Sequence, residues 1–202
     1  MPTYRLFAKI VLAGLLSFHF VLSALAQDKT PDKQDTTAPA SRAMGQAATP
    51  GAPHEFLAKR AGEYTRVIKF VGQPGADAMQ FTGTAKISVV LDGRFILEEN
   101  FDVVFGRPVH GMRLWGYNNV TKQYEAVWTY TMSTAILMLT GTSSDGGKTI
   151  DYTGTTDEPN GKIPLHAQVR QLDADNFGVT LYSKSPDGKE AAFQETTYTR
   201  KK

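Results

Sequence analysis

From Glu63 to Arg200 the chain carries ten segments of seven to eleven residues in which apolar and polar side chains alternate, most of them followed by clusters of Gly, Pro, Asn, Asp or Ser. A period of two sends successive side chains to opposite faces of a β-strand. The predicted strands are Glu63–Val71, Phe81–Leu91, Arg94–Val103, Val109–Tyr117, Tyr124–Tyr130, Ala135–Thr142, Thr149–Thr156, Ile163–Leu172, Phe177–Ser183 and Ala191–Arg200. Between them stand Gly72-Gln73-Pro74-Gly75, Asp92-Gly93, Asn118-Asn119, Ser144-Asp145-Gly146-Gly147, Glu158-Pro159-Asn160-Gly161 and Ser185-Pro186-Asp187-Gly188, all residue types that turns require. Asp92-Gly93 reads as a two-residue hairpin.

Linkers this short make consecutive strands antiparallel, because a parallel pair needs a crossover of a dozen or more residues. An open meander would leave two unpaired edges, and closure removes them. The expected fold is therefore all-β: a single antiparallel up-and-down β-barrel of about ten strands, preferred over a β-sandwich. His54–Ala61, after Pro53 and before Gly62, reads as a short helix with Phe56 and Leu57 facing the core. An outer-membrane barrel is disfavoured, since Lys86, Glu98, Glu125 and Gln168 fall on the polar faces where a lipid-facing wall needs apolar residues.

The N-terminus has a separate character. Arg5 and Lys9 precede an apolar run from Ile10 to Leu22, and Ala24-Leu25-Ala26 supplies small residues before Gln27. Residues 1–26 are read as a cleaved secretory signal peptide, too short in its apolar part to span a bilayer. Residues 27–53, rich in Ala, Thr, Gln, Asp and Pro, read as a disordered linker, and 54–202 as the barrel domain. Export, to the periplasm or beyond, is the expected localisation, with no membrane span after signal cleavage. The chain contains no cysteine, which excludes disulfides, thiol nucleophiles and a lipid-bearing cysteine. The formal charge of +2 resides in the signal: without Arg5 and Lys9, 20 basic residues face 20 acidic ones. With no basic stripe, nucleic acid is not an expected partner. Nothing in the pattern speaks to oligomeric state.

An ordered series of landmarks carries a resemblance. It comprises His54-Glu55-Phe56-Leu57, Gly62-Glu63-Tyr64, Asp92-Gly93-Arg94-Phe95, Gly111, Leu114-Trp115-Gly116-Tyr117-Asn118-Asn119, Tyr124 with Trp128, Met132-Ser133-Thr134, Pro186-Asp187-Gly188-Lys189 and Tyr198-Thr199-Arg200. Together these resemble an exported bacterial family known as a domain of unknown function, number 1579, grouped with the lipocalin-like, or calycin, barrels. The resemblance spans about His54 to Arg200. It implies a lipocalin-like barrel and no activity. Tyr64 stands where the family usually has Trp, and Asn118 and Tyr130 where it usually has Asp, which moves weight from catalysis toward binding. Calycin barrels stack an arginine of the last strand on the aromatic of a Gly-x-Trp, which implies a structural group of Gly62, Tyr64 and Arg200.

Candidate binding residues follow from the alternation. The third strand places Phe95, Leu97, Glu99, Phe101 and Val103 on one face, and the last strand Ala191, Phe193 and Glu195. A carboxylate on an apolar face needs a partner or a proton. Arg94 and Arg113 are the candidate partners for Glu99 and Glu195, either in a polar cluster within a ligand cavity or in a purely structural internal salt bridge, and the other alternative is a one-residue bulge that turns the acid outward. Trp115, Trp128 and Tyr130 would wall a cavity suited to a small apolar or amphipathic ligand. The histidines His54, His110 and His166 have no metal-ligand spacing. Some lipocalin-like barrels bind haem through one histidine, a role for which His110 is the candidate, but a hydrogen-bonded histidine is the preferred reading. Neither a catalytic residue nor a cofactor is assigned. Asn119-Val120-Thr121 matches a glycosylation acceptor by chance in a turn, and no base accompanies Ser133 or Thr134. The leading expectation is a binding protein for a small hydrophobic ligand. The alternatives are an enzyme using Glu99 or Glu195 as general base and an interaction module acting through its outer wall.

Overall fold

A computed structural model describes residues 37–71, 78–158, 161–184 and 188–202. The expected signal, the first part of the expected linker and three of the expected turns lie wholly or partly outside the described residues. These form two short helices, α1 (Thr37–Ala48) and α2 (Ala52–Ala58), and ten strands: β1 (Gly62–Phe70), β2 (Met79–Val90), β3 (Phe95–Val104), β4 (Arg107–Asn118), β5 (Gln123–Tyr130), β6 (Leu137–Thr142), β7 (Thr149–Glu158), β8 (Gly161–Gln171), β9 (Asn176–Lys184) and β10 (Glu190–Arg200). Each strand pairs antiparallel with its sequence neighbours, and β1 pairs with β10 to close the barrel. None of the described helices is long and apolar enough to cross a membrane.

Two local details differ from the expected ones. The Asp92-Gly93 connection is a four-residue loop, Leu91–Arg94, with Val90 opposite Phe95 and left-handed backbone at Leu91, Asp92 and Gly93. Within the expected linker, the alanine-rich Thr37–Ala48 is helical, as alanine's propensity favours. The side-chain amide of Asn119, in the β4–β5 turn, donates to the carbonyls of Ala47 and Thr49 at its end (3.2 and 2.8 Å). Helix α2 begins at Ala52, with Pro53 in its first turn where no N–H is needed, and the His54 Nδ1 accepts the Gly51 N–H at 3.1 Å.

Helix α2 covers one end of the barrel, burying Leu57 and His54. Beneath it the interior is filled by Tyr64, Trp115, Tyr124, Ile150, Tyr152 and Phe177. Closure is fastened at this end. Tyr64 lies opposite Arg200 across the β1–β10 seam, with the guanidinium 4.9 Å from the ring centroid. The same guanidinium donates to the carbonyls of Ala61 and, at 2.8 Å, Lys59, tying α2's exit to the last strand. Gly62, at φ +151°, leaves room for it: a Cβ there would lie 2.2 Å from Arg200 Nη1.

Replacing Arg200 with Ala removes the cation–π contact and both carbonyl bonds. The expected loss is about 1–3 kcal/mol, or roughly 2–10 °C in thermal midpoint for a domain of this size, read by circular dichroism.

Candidate functional site

The interior changes character halfway along the barrel. On β3 the buried side chains are Ile96, Glu98, Asn100, Asp102 and Val104. Glu98 and Asp102 each meet an arginine from another strand. Arg113 of β4 donates to the Glu98 carboxylate (3.3 Å) and to the Tyr198 hydroxyl (2.8 Å), which itself donates to Glu98 (2.8 Å). Trp115 Nε1 donates to the other Glu98 oxygen at 3.3 Å. Arg66 of β1 forms a close ion pair with Asp102, and the Asn100 amide donates to the same carboxylate oxygen at 2.6 Å. The Arg113 guanidinium stacks 4.4 Å over Trp128, and that of Arg66 4.9 Å over Tyr198.

Burial pushes the Asp102 carboxyl above the usual carboxylate range, with Arg66 and Asn100 pulling the other way. Burial also acts to lower the Arg113 value, but Glu98 and Tyr198 outweigh it and hold the guanidinium charged. The Tyr198 hydroxyl is pushed up to about 12 by burial, so it stays protonated and able to donate. Two cations and two anions thus form a charge-balanced layer across the barrel.

The wall is thinned to admit this layer. Gly83 of β2 lies opposite Asp102, and a Cβ there would fall 1.9 Å from Asp102 Oδ1. Above the layer, toward the end away from α2, lies a cavity of about 400 Å³. Its lining runs from Phe105 and Met132, exposed at the rim, past apolar walls such as Ile68, Val109, Leu165 and Leu181 to Arg66, Asn100, Asp102 and Arg113. Among the described residues, four polar atoms of this lining are buried without a protein partner: Arg66 Nε, Asn100 Oδ1, Asp102 Oδ1 and Trp128 Nε1.

The expected site residues divide. Arg113, Trp128 and Tyr130 line the cavity, with Trp128 and Tyr130 stacked at 4.9 Å. Trp115 is interior but packs below the layer against Tyr152. Three expectations are corrected. Glu99 faces outward opposite Lys86, because β3's interior set is the even-numbered one. Glu195 is outward as well, with its side chain 48% exposed and 3.8 Å from Lys69 Nζ, because a bulge at Ala192–Gln194 reverses the parity of β10. Arg94 sits in the β2–β3 loop at the closed end, bonded to the Leu91 carbonyl and paired with Asp92. Glu98, expected outside, is fully buried. An enzyme using Glu99 or Glu195 inside the barrel is thereby ruled out. His110 stacks on Phe101 of the outer wall (4.2 Å) and does not line the cavity. Asn118 caps its turn, accepting the Val120 and Thr121 N–H groups.

The residues missed were Glu98, Asn100, Asp102 and Arg66. A signal for the first three was present. Antiparallel partners share a face, and counting back from Asp92-Gly93 sets Glu98 opposite Ile87 and Asn100 opposite Ala85, apolar residues on one face of the second strand.

Two substitutions separate the strand's faces. Glu98→Gln leaves the Arg113 charge without its carboxylate, at an expected cost of about 3–5 kcal/mol. Glu99→Gln on the outer face is expected to stay within about 0.5 kcal/mol of the parent. Urea denaturation of both variants measures the contrast.

The comparisons with known proteins agree with this architecture. An S-type phycobiliprotein lyase from Guillardia theta superposes with a TM-score of 0.51 at 12% identity, covering 73% of this chain and 92% of the lyase. Rv2717c from M. tuberculosis gives 0.52 at 14% identity, covering 76% and 100%. At these identities the likeness is one of fold. No protein of curated function matches the sequence. The family described as a protein of unknown function, DUF1579, matches residues 49–200, which is the whole barrel with helix α2, and the chain belongs to that family.

Proposed function

We propose that this is an exported binding protein that holds one small amphipathic ligand in the open half of its barrel. The observation that carries the reading is the cavity of about 400 Å³, apolar along its walls and floored by the polar side chains of Arg66, Asn100, Asp102 and Arg113. A volume of this order lies within the range of small-molecule sites, about 300–1,000 Å³. The apolar portion of the guest gains about 25 cal/mol per Å² removed from water. Binding by burial and anchoring, without bond making, suits a layer in which both carboxylates are already engaged by arginines. Export rests on residues 1–26.

Native mass spectrometry of the protein from its own host tests both parts. The polypeptide is expected to begin at Gln27 and to carry a noncovalent organic adduct. Leu165→Trp, which fills the cavity, is expected to remove the adduct while lowering the thermal midpoint by no more than a few degrees. An adduct-free protein, or an adduct indifferent to Leu165→Trp, would count against the ligand.

A second role is favoured by the outer wall. Phe101 (55% exposed) and Val103 on β3, Met112 on β4 and Met138 (68% exposed) on β6 are apolar side chains exposed on the outer wall, the kind of residue with which a surface docks on another protein. Phe101→Ser with Met138→Ser is expected to leave cavity binding intact and to abolish cross-linking to any envelope partner. Unchanged cross-linking would remove this reading.

A further inference from the structure

The polar layer is balanced in sum but not in what it shows to the cavity. Arg66 and Arg113 line the cavity against the single carboxyl of Asp102, while Glu98 and Tyr198 lie beneath them, fully buried. Resting on the binding role above, we propose that the guest's polar end is an anion, in the simplest case a carboxylate, received by the Arg113 guanidinium.

Access sets the sign. The Arg113 side chain keeps 7% of its surface open, and that of Glu98 none. An anion on the cavity floor therefore meets the cation first, with Glu98 screened behind it. The ion pair spans 3.3 Å, so Glu98 lies about twice as far from that anion as Arg113 does and repels it roughly half as strongly at equal dielectric. Arg113 bonds to Glu98 and Tyr198 through Nη1 alone, which leaves Nε and Nη2 of this five-donor group without a protein partner among the described residues. Trp128 covers one face of the guanidinium at 4.4 Å, so a further bond runs from its edge.

The acceptors of the floor are turned to the wall. Asp102 receives Arg66 and Asn100 on Oδ2, and its Oδ1 lies in the space that a Cβ of Gly83 would fill. Asn100 Oδ1 likewise lies against Gly111 on the neighbouring strand. Both Oδ1 atoms are buried, so neither is presented to a guest. An ammonium only donates, and it meets two guanidinium groups and a carboxylate already committed to Arg66 and Asn100. A carboxamide finds donors for its carbonyl, but its NH₂ meets the same committed acceptors. A carboxylate only accepts, and its bonds from a guanidinium are charge-assisted, roughly twice as strong as those between neutral groups. Those bonds offset the hydration that the anion leaves behind.

The test is a head-group series on one chain: decanoate, decanamide and decylamine. Each is titrated into the purified, lipid-stripped full chain at about pH 8, where the acid is ionised and the alkylamine protonated. Binding is read by calorimetry, with Leu165→Trp run alongside to verify that it occurs in the cavity. Decanoate is expected to bind at least about tenfold tighter than decanamide and decylamine, and to be lost in Leu165→Trp. If decanamide or decylamine binds as tightly as decanoate and is lost in Leu165→Trp, the head-group inference is overturned and the binding role stands. If no probe binds, or Leu165→Trp changes nothing, both are overturned. Arg113→Met combined with Glu98→Gln adds an arm specific to the pair, because cation and carboxylate leave together and no buried charge is orphaned. The preference for decanoate over decanamide is expected to fall about tenfold in this double variant, and a preference that survives it overturns the assignment to Arg113. The parent protein's ratio decides the head group even if that variant fails to fold.

Discussion

Two arginine–carboxylate pairs, buried at mid-height in the barrel, govern what the rest of the interior can be. Taking four charges out of water is expensive, and in many proteins a packed apolar set of similar volume would be at least as stable. Each charge must therefore have its counter-charge to be tolerated, and the structure shows how that is met. Glu98 receives bonds from Arg113, Tyr198 and Trp115, while Asp102 receives them from Arg66 and Asn100. Below the layer the aromatic core fills the barrel to the helix; above it the walls stay apart. The polar layer is thus the floor of the cavity as well as the lid of the core.

Closure and strand count were legible in the sequence because they depend on local chemistry. Turn residues at regular spacing forced antiparallel neighbours, and the resemblance to calycin barrels implied the Gly62, Tyr64 and Arg200 group at the seam where the first and last strands meet. The face of each strand was legible only where the outer wall is polar. On β2 and β5 it is, and alternation places Ala85, Ile87, Tyr124 and Ala126 on the buried face, although Val89 and Leu91, on the same parity of β2 and its turn, are exposed. On β3 the pattern is inverted. Phe101 and Val103 are exposed while Glu98, Asn100 and Asp102 are buried, so alternation read as hydrophobic-in gives the wrong face. The hairpin count carried the correct face, because register is a geometric fact and hydrophobicity only a tendency.

The last strand fails for another reason. A bulge at Ala192–Gln194 brings the consecutive residues Phe193 and Gln194 to the cavity and turns Glu195 outward. No periodicity survives an inserted residue, and bulges lack a composition signal of their own. Arg66 illustrates a third limit. It stands among Thr65, Val67 and Lys69 as an ordinary polar member of its strand, and the register of two successive hairpins, Arg66 opposite Gly83 and Gly83 opposite Asp102, brings it to a carboxylate 36 residues away.

The glycines of the wall bind these observations together. Gly83 faces Asp102 and Gly111 faces Asn100, each on the strand next to β3, and a Cβ at either would lie well inside contact distance of the polar side chain. A strand interior gains nothing from glycine in packing and loses backbone entropy. Two such positions flanking one polar stretch are therefore a site's requirement and not the barrel's. They let Asn100 and Asp102 lie flat against the wall, which keeps the space above them open and leaves one oxygen of each without a protein donor. A barrel built only for stability would have placed Ala or Val at both positions and filled its middle with Leu. This one gives up that packing on three adjacent strands to hold paired charges as a polar floor beneath an apolar chamber, an arrangement that suits a guest with one polar end.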